Sequence, residues 1–496
     1  MRCWPSCAIR RRRAGAPRRV RPISSRHAVI AFWERPWPHA IGLWWETIML
    51  AELRKELLYG GRALVRDNAL SQRLVQRLRR HETLDDYALK TMGDRLLHRS
   101  LQAAIAKLPF YAHISPDFAP EEARQVLREM FPIVDKRTLL DHPRALYPND
   151  GLKRPWQVLG KTSGTTGTPL VVIRSLNSVQ MEQAFIKRHW SWGGYSEGMP
   201  RATLRGDMVA GLERQEPPFW FENRYNRQLL LSSRHLGDQC VGAVIDKLQR
   251  YAPAMMQAYP STAYTLAQQL ERRGMSLCVP FLFTASEPLY PHQQELIRER
   301  LAGRIMDMYG MAERVAFATQ CEYGSMHLNP DYSHVEILDD YGEPTDGYGH
   351  IVGTTLHNLA MPLVRYRLSD RTRWRHGHCA CGRPFPMIEP VTGKLEDRIT
   401  GGDGMEVSPS VLTFAFKGVE NVRKSQVAQT GPGQWELRLV PDAHFSQADQ
   451  DKLLHNIRHL VDPTVQVKVV LRGDLPNTEA GKFRWVVNEW QDGRRA

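Results

Sequence analysis

Thr162-Ser163-Gly164-Thr165-Thr166-Gly167-Thr168-Pro169 crowds hydroxyl side chains around two glycines and closes on a proline. Gly164 and Gly167 permit positive φ and close approach of the backbone to a ligand. Successive main-chain N–H groups in such a loop form a concave anion site. The hydroxyls of Ser163, Thr165 and Thr166 add neutral donors. The stretch reads as a polyphosphate cradle, although taken alone it also fits a polar surface turn. A Walker-type loop built on Gly160-Lys161-Thr162 is excluded, because Pro155 stands where its first glycine belongs.

Four further stretches follow in order: Tyr309-Gly310-Met311-Ala312-Glu313, Tyr366-Arg367-Leu368-Ser369-Asp370, Gly393-Lys394-Leu395-Glu396-Asp397 and Leu475-Pro476-Asn477-Thr478-Glu479-Ala480-Gly481-Lys482. This ordered set resembles the signature of the adenylate-forming superfamily of acyl-CoA synthetases, peptide-synthetase adenylation domains and luciferases. Ala285-Ser286-Glu287-Pro288 and Cys321-Glu322-Tyr323-Gly324-Ser325-Met326-His327-Leu328 are similar to the branch of phenylacetate–CoA ligases and capsular-polysaccharide adenylating enzymes. The resemblance runs from about Leu101 to the C-terminus. It implies an α/β fold: a large multilayer N-terminal adenylate-forming domain and a small mobile α+β C-terminal domain. It also implies ATP-dependent activation of a carboxylic acid to acyl-AMP and transfer to CoA, with Mg²⁺ as the nucleotide's companion.

Such a reaction needs alignment and charge stabilisation rather than a general base, since a carboxylate is already a nucleophile at neutral pH. The resemblance gives each residue a role. Ser163, Gly164, Thr165, Thr166 and Gly167 hold phosphates, and Thr166 counts with Glu313 and Lys482 as catalytic. Glu313 coordinates Mg²⁺, a hard ion suited to one carboxylate plus phosphates. Tyr309 stacks on adenine beside Gly310, while Ser286, Glu287 and Pro288 line the adenine pocket. Asp370 accepts the ribose hydroxyls. Lys394 replaces the family's usual arginine, keeping charge but losing the planar fork. Glu396 is the expected hinge. Lys482 swings in to bridge the substrate carboxylate and the α-phosphate. Family loops often carry a lysine at or just after the closing proline; here Thr168 and Leu170 stand in those places, so Arg205, Lys161 or Mg²⁺ must offset the triphosphate.

Cys321, His327, Cys379 and Cys381 form a second constellation. Three thiolates and one imidazole are a tetrahedral Zn²⁺ set, although Cys-x-Cys spacing alone also fits scattered cysteines. Relatives in the phenylacetate branch place similar residues around a structural zinc, which implies a stapled segment over 321–381. His376 and His378 are substitutes for His327. Seven cysteines in 496 residues make no disulfide framework and suit a reducing cytoplasm.

A chain of 496 residues exceeds one typical hydrophobic core, and 42% apolar with 24% charged residues is ordinary for a globular protein. No apolar run reaches about 18 residues, which argues against a spanning helix. The net charge of +14 is uneven: ten arginines between Met1 and Thr47 face only Glu34 and Glu46, so eight of the fourteen excess charges sit there. Residues 1–48 are read as a basic arm outside the folded enzyme, with Met49 as the natural start. That distribution argues against nucleic acid as a partner and against membrane association. A small acid and CoA are the expected partners, and a homodimer is allowed.

Leucines at 53, 57, 58 and 74 give a helical pattern from Met49 to about Leu108. Short strand-like and helical runs then alternate to Thr392: a strand at Val171-Val172-Ile173, a helix from Leu176 to Trp190, a strand from Cys278 to Phe283 and a helix from His292 to Leu301. Residues 49–392 are the expected adenylating domain and 393–496 the lid. In the lid, Trp435–Val440 and Val465–Val470 alternate as strands, Ser446 caps a helix to Leu460, and Gly401-Gly402-Asp403-Gly404 supplies hinge flexibility. Cys240 and Cys278 are expected in the core. Trp190, Trp192, Phe219, Trp220 and Tyr259 serve either an apolar acyl pocket or the core. Two other functions stay open: adenylation with an amine, hydroxyl or carrier-protein acceptor, and a non-catalytic zinc-stapled binding protein.

Overall fold

The computed structural model describes residues 60–61, 68–148, 157–161, 170–207, 209–211, 213–391, 399–407, 409–416, 418–419, 421–475 and 484–492. β1 (Gln157–Lys161) and β2 (Val171–Ser175) pair antiparallel on either side of the hydroxyl-rich stretch, with Lys161 opposite Val171. Next come β3 (Arg201–Leu204), β4 (Trp220–Asn223), β5 (Gln228–Leu231), β6 (Met255–Ala258), β7 (Val279–Ala285), β8 (Ala302–Gly310), β9 (Phe317–Gln320) and β10 (Met326–Leu328). β11 (Ser333–Leu338), β12 (Gly349–Thr355) and β13 (Tyr366–Thr372) form a separate antiparallel sheet. β14 (Trp374–Arg375) and β15 (Met387–Ile388) return to the first, whose order is β14-β15-β10-β9-β8-β7-β6-β3-β5-β4.

Its centre, β5-β3-β6-β7-β8, is parallel, and both flanks are antiparallel. Parallel neighbours need a long crossover, and helices Val241–Tyr251, Pro260–Arg272 and Pro291–Arg300 supply three. Pro260 and Pro291 sit in the first turn, where a missing N–H costs nothing. Strands covered on both faces read as continuous apolar runs. Leu229 and Leu231 accordingly share one core with Ala202, Val244, Leu266 and Leu282. The carboxyl ends of these strands form the edge where open α/β sheets bind ligands.

Leading into this sheet, Ala69–Arg80 and Asp86–Lys107 are helices whose starts are capped by Asn68 and Asp85 accepting the Ser71 and Ala88 N–H groups. Leu53, Leu57, Leu58 and the arm at 1–48 lie outside the described residues. The helix expected over 176–190 runs Leu176–Trp192, and the one expected from His292 runs Pro291–Arg300. Cys278 corrects its expectation: it is exposed, one residue ahead of the first buried position of β7, and Cys240 is only half-buried.

Residues 399–492 carry their own four-stranded sheet of Gln466–Leu471, Gln434–Pro441, Val422–Gly431 and Val486–Asn488, in that order. Alternation puts Trp435, Leu437 and Leu439 into a core with Leu412, Leu453 and Ile457. The helix expected over 446–460 divides into Gln447–Asn456 and a wider π turn, Ile457–Val461, which keeps Ile457 and Val461 buried. Ser446 is its N-cap, with the Asp449 carboxylate accepting the Ser446 N–H at 2.9 Å. Gly401 to Gly404 turn between two short paired strands, packed rather than loose: a Cβ on Gly402 would lie 2.4 Å from the Thr464 carbonyl oxygen.

Candidate active site and candidate metal centre

The end of β8 meets β13 where the Tyr309 hydroxyl donates to Asp370 Oδ2 at 2.7 Å. Burial, reinforced by the Asp370 charge, pushes the Tyr309 phenol well above its ordinary value, so it stays a donor. Its ring packs at the margin of a cluster of Ala318, Leu328, Ile337 and Ile388. Tyr309 thus anchors Asp370 as well as presenting a ring.

Beyond Gly310 the chain turns through Glu313, whose Oε1 accepts a long hydrogen bond from the Tyr366 hydroxyl at 3.5 Å. Arg314 holds φ +61, a left-handed geometry uncommon outside glycine. Its guanidinium fixes the turn by donating to the carbonyl and hydroxyl oxygens of Ser178, each at 2.8 Å. Arg174, on β2, donates to the Ala312 carbonyl at 2.6 Å. Its guanidinium crosses above Gly160, where a Cβ would lie 2.3 Å from Arg174 Cζ. Arg174 therefore ties the root of the hydroxyl-rich stretch to the Glu313 turn. Sequence reasoning missed Arg174, which belongs to no motif.

Ser286 ends β7 in a second left-handed turn, at φ +76, and is exposed with Pro288. Strained non-glycine backbone of this kind gathers at ligand sites. Glu287 Oε2 accepts the Ser261 N–H at 3.2 Å, joining this turn to the helix after β6. Arg205, beyond β3, stacks over Tyr259 with Cζ 5.0 Å from the ring centre. Asp307 on β8 was also missed; burial raises its carboxyl to about 6, against a hydrogen bond from Thr284 Oγ1 at 2.7 Å. Trp190, Trp192 and Phe219 are core residues, Trp220 is half-buried, and Tyr259 lies at the sheet edge. Ser163, Gly164, Thr165, Thr166, Gly167, Lys394, Glu396 and Lys482 lie outside the described residues, as does the Lys161 side chain.

At the opposite flank, Cys321 follows β9, His327 sits on β10, and Cys379 and Cys381 occupy the turn between β14 and β15. Their ligand atoms all lie within 4.8 Å of one another. Cys321 Sγ and Cys379 Sγ are 3.6 Å apart, and Cys381 Sγ is 3.4 Å from His327 Nε2. A tetrahedron with metal–sulfur bonds of about 2.3 Å has edges of about 3.8 Å, so the donor set fits zinc. His327 Nδ1 donates to the Phe385 carbonyl at 2.9 Å, which leaves Nε2 as the ligand atom. Burial raises the Cys321 and Cys381 thiols, but at Cys379 it is outweighed by hydrogen bonds from the Ser325 side chain and the Cys381 backbone, which bring that thiol down to about 6. His376 and His378 are exposed, and His376 instead pairs with Asp346 at 3.6 Å. Arg383 braces the turn, stacked 4.2 Å over Trp192 and paired with Glu322 at 2.7 Å.

Among the described residues no helix is long and apolar enough to cross a membrane. Residues 399–489 match the CapK C-terminal domain family. The chain is 25% identical over 460 residues to a phenylacetate-coenzyme A ligase of Thermus thermophilus, covering 82% of this chain and 98% of that protein. It is 21% identical over 335 residues to Protein CapK of Staphylococcus aureus, covering 66% of this chain and 73% of that protein. Its fold is similar to that of 2-hydroxyisobutyryl-CoA ligase solved with 2-HIB-AMP and CoA, with a TM-score of 0.51, 17% identity, and coverage of 84% of this chain and 94% of that one. Along most of its length the chain is thus similar to phenylacetate-coenzyme A ligases and to CapK, its C-terminal residues match a CapK-type domain, and its fold is that of an adenylate-forming CoA ligase.

Proposed function

We propose that the chain activates a small carboxylic acid with ATP and passes the acyl group to the thiol of coenzyme A. The observation that carries this reading is the junction at the end of β8. There Tyr309 holds Asp370, Tyr366 reaches Glu313 from the same strand as Asp370, and Arg174 ties the Glu313 turn to the strand leaving the hydroxyl-rich stretch.

A carboxylate oxygen of the acid attacks the α-phosphorus, and the bond to pyrophosphate breaks. Ser163, Thr165, Thr166 and the backbone at Gly164 and Gly167 hold the departing phosphates. Asp370, steadied by Tyr309, accepts the ribose hydroxyls, with Lys394 nearby. Gly310, Ser286, Glu287 and Pro288 border the adenine. Glu313 would hold Mg²⁺, which when bound neutralises phosphate oxygens. Lys482 bridges the carboxylate and the α-phosphate as a mobile point charge. In the second step the thiol sulfur attacks the acyl carbonyl, AMP leaves, and the thiol proton passes to solvent.

Residues 49–392 form the adenylating body and 393–496 a lid turning at Glu396, with 1–48 outside the enzyme. Lid closure excludes water from the mixed anhydride. Cys321, His327, Cys379 and Cys381 would hold Zn²⁺ as a cross-link, since four protein ligands leave no open position for substrate. The reduced cysteines suit the cytoplasm. A second reading keeps adenylation but changes the acceptor; the CapK-family match favours it because it falls on the lid, which would present the acceptor.

The test is carboxylate-dependent exchange of labelled pyrophosphate into ATP across an acid panel, followed by product release with and without CoA. Exchange with at least one acid and CoA-dependent thioester formation are expected. Exchange without CoA dependence selects the second reading, and no exchange by folded, zinc-replete protein removes both.

A further inference from the structure

The carboxyl ends of β5, β3 and β6 carry a polar cluster in which only Arg205 has an alternative use, as a counter-charge for the triphosphate. Arg205 follows β3, Ser233 and Arg234 follow β5, and Ser261 opens the helix after β6. The Thr262 hydroxyl donates to the Leu204 carbonyl at 2.8 Å, fixing that helix start against the end of β3. Arg234 donates once, from Nη1 to the Gly206 carbonyl at 3.2 Å, and its guanidinium carbon lies 5.7 Å from the centre of the Phe414 ring.

Four buried polar atoms here have no hydrogen-bond partner among the described residues: Ser233 Oγ, Arg234 Nε, Arg234 Nη2 and Ser261 Oγ. Ser261 is only 5% exposed. An unmade buried hydrogen bond costs about 1–3 kcal/mol, more at a charged group. Such atoms are usually satisfied, and grouping them at a ligand edge is the arrangement of a site completed by what binds there. Asp207 acts on Arg234 through space, yet no ion pair joins them among the described residues. Arg205 is likewise engaged only with the Tyr259 ring among the described residues.

Position then separates the two arginines from the nucleotide, whereas Ser261 is bonded to Glu287 on the adenine side. In the order β8-β7-β6-β3-β5, with strands about 4.8 Å apart, Arg205 stands about 14 Å and Arg234 about 19 Å from the strand bearing Tyr309. A group joined to the α-phosphate near Glu313 would reach them at its far end. We propose, resting on the adenylation reading, that Arg205, Arg234, Ser233 and Ser261 receive a second carboxylate on the acid substrate. The enzyme then activates one end of a dicarboxylic acid while the other is held by charge-assisted hydrogen bonds. A monoacid of equal length would leave the guanidinium groups desolvated and uncompensated, which is a mechanism of rejection as well as recognition.

Exchange assays without CoA test this with matched pairs of mono- and dicarboxylic acids of equal chain length. The dicarboxylate should exceed its monoacid at least about 100-fold in kcat/KM. Arg234→Met and Arg205→Gln should bring that ratio to within about tenfold through KM for the acid, with KM for ATP unmoved and partial recovery in Arg234→Lys. A rise in KM for ATP instead would assign the arginines to the triphosphate, and a change confined to KM for CoA in the complete reaction would assign them to the phosphates of CoA. Either result overturns the inference. Monoacids preferred by the wild type, with both variants neutral, would overturn it while leaving adenylation intact. Exchange with no acid of either class would remove the adenylation reading and this one with it.

Discussion

The parallel centre of the large sheet and one of its antiparallel flanks are built on opposite principles. At the carboxyl ends of the parallel strands, donors and acceptors are left with open valences. Among the described residues Arg234, Ser233 and Ser261 keep unbonded atoms, and Ser286 and Arg314 hold left-handed turns. At the antiparallel flank, three thiols and one imidazole converge within 4.8 Å, the imidazole is oriented by a carbonyl, and Arg383 is stacked and paired beside them. Open valences suit ligands that arrive and leave, whereas a closed set of four suits a ligand that stays. On the reading proposed above, the same sheet exchanges substrates at the carboxyl ends of its parallel strands and would be cross-linked by zinc at one antiparallel flank.

The sharpest way to break that contrast is to open the closed flank. Cys379→Ser removes one of four ligands from a site whose metal can contribute on the order of 10 kcal/mol. We expect about one zinc per chain in the wild type by elemental analysis, and loss of soluble folded protein or a large fall in unfolding midpoint in the variant. A zinc-free wild type matched in stability by the variant would end the staple. The next effect belongs to the exchanging edge. Lys482→Ala should slow pyrophosphate exchange about 10³-fold, or about 4 kcal/mol in the barrier, while sparing thiolysis of a supplied acyl-adenylate. Full exchange would take Lys482 out of the mechanism.

A third effect reports on His189, which bonds the Gln320 carbonyl at 2.9 Å beside the metal flank. Burial, opposed by that bond and aided by Arg383 and Arg188, lowers it from 6.5 to about 4. The folded state therefore refuses a proton that the unfolded chain accepts. Stability present above about 6.5 drains away as pH falls to about 4, by on the order of 3 kcal/mol for a fully buried ring. Denaturant midpoints across this range should fall less steeply for His189→Gln; identical slopes would remove the assignment. The smallest effect sharpens the nucleotide end. Asp370→Asn should raise KM for ATP about tenfold, near 1.4 kcal/mol, with KM for the acid unmoved. An unchanged KM for ATP would separate Asp370 from the ribose.

Local chemistry was legible in advance where it is written in contiguous residues. The alternation from Trp156 to about Thr392 gave α/β layers, and the helices read from Leu176 and from His292 lie within two residues of those bounds. The three cysteines and the histidine were singled out through the resemblance to the phenylacetate branch, since their spacing alone also fits scattered cysteines, and the fold gathers their ligand atoms within 4.8 Å of one another. Cys278 misled because an apolar neighbourhood in sequence does not say where a strand's buried face begins. The glycine run at 401–404 suggested looseness, yet Gly402 serves close approach to Thr464 and Gly401 to Asp462. Arg174, Arg234 and Asp307 left no signal, since their meaning lies in partners found or missing across strands distant in sequence.

The residue order by itself determined the menu: a hydroxyl and glycine loop, acidic and tyrosine motifs in a set succession, three cysteines and a histidine, and the periods that make strands and helices. Those follow from side-chain chemistry and from local backbone sterics, which need only near neighbours. Only the folded chain decided the company each group keeps. Tyr309 meets Asp370 across two sheets, Arg174 binds Ala312 over 138 residues, and Cys321 meets Cys379 over 58. Strand order, burial and unmade hydrogen bonds are properties of packing, and packing is settled by every residue at once.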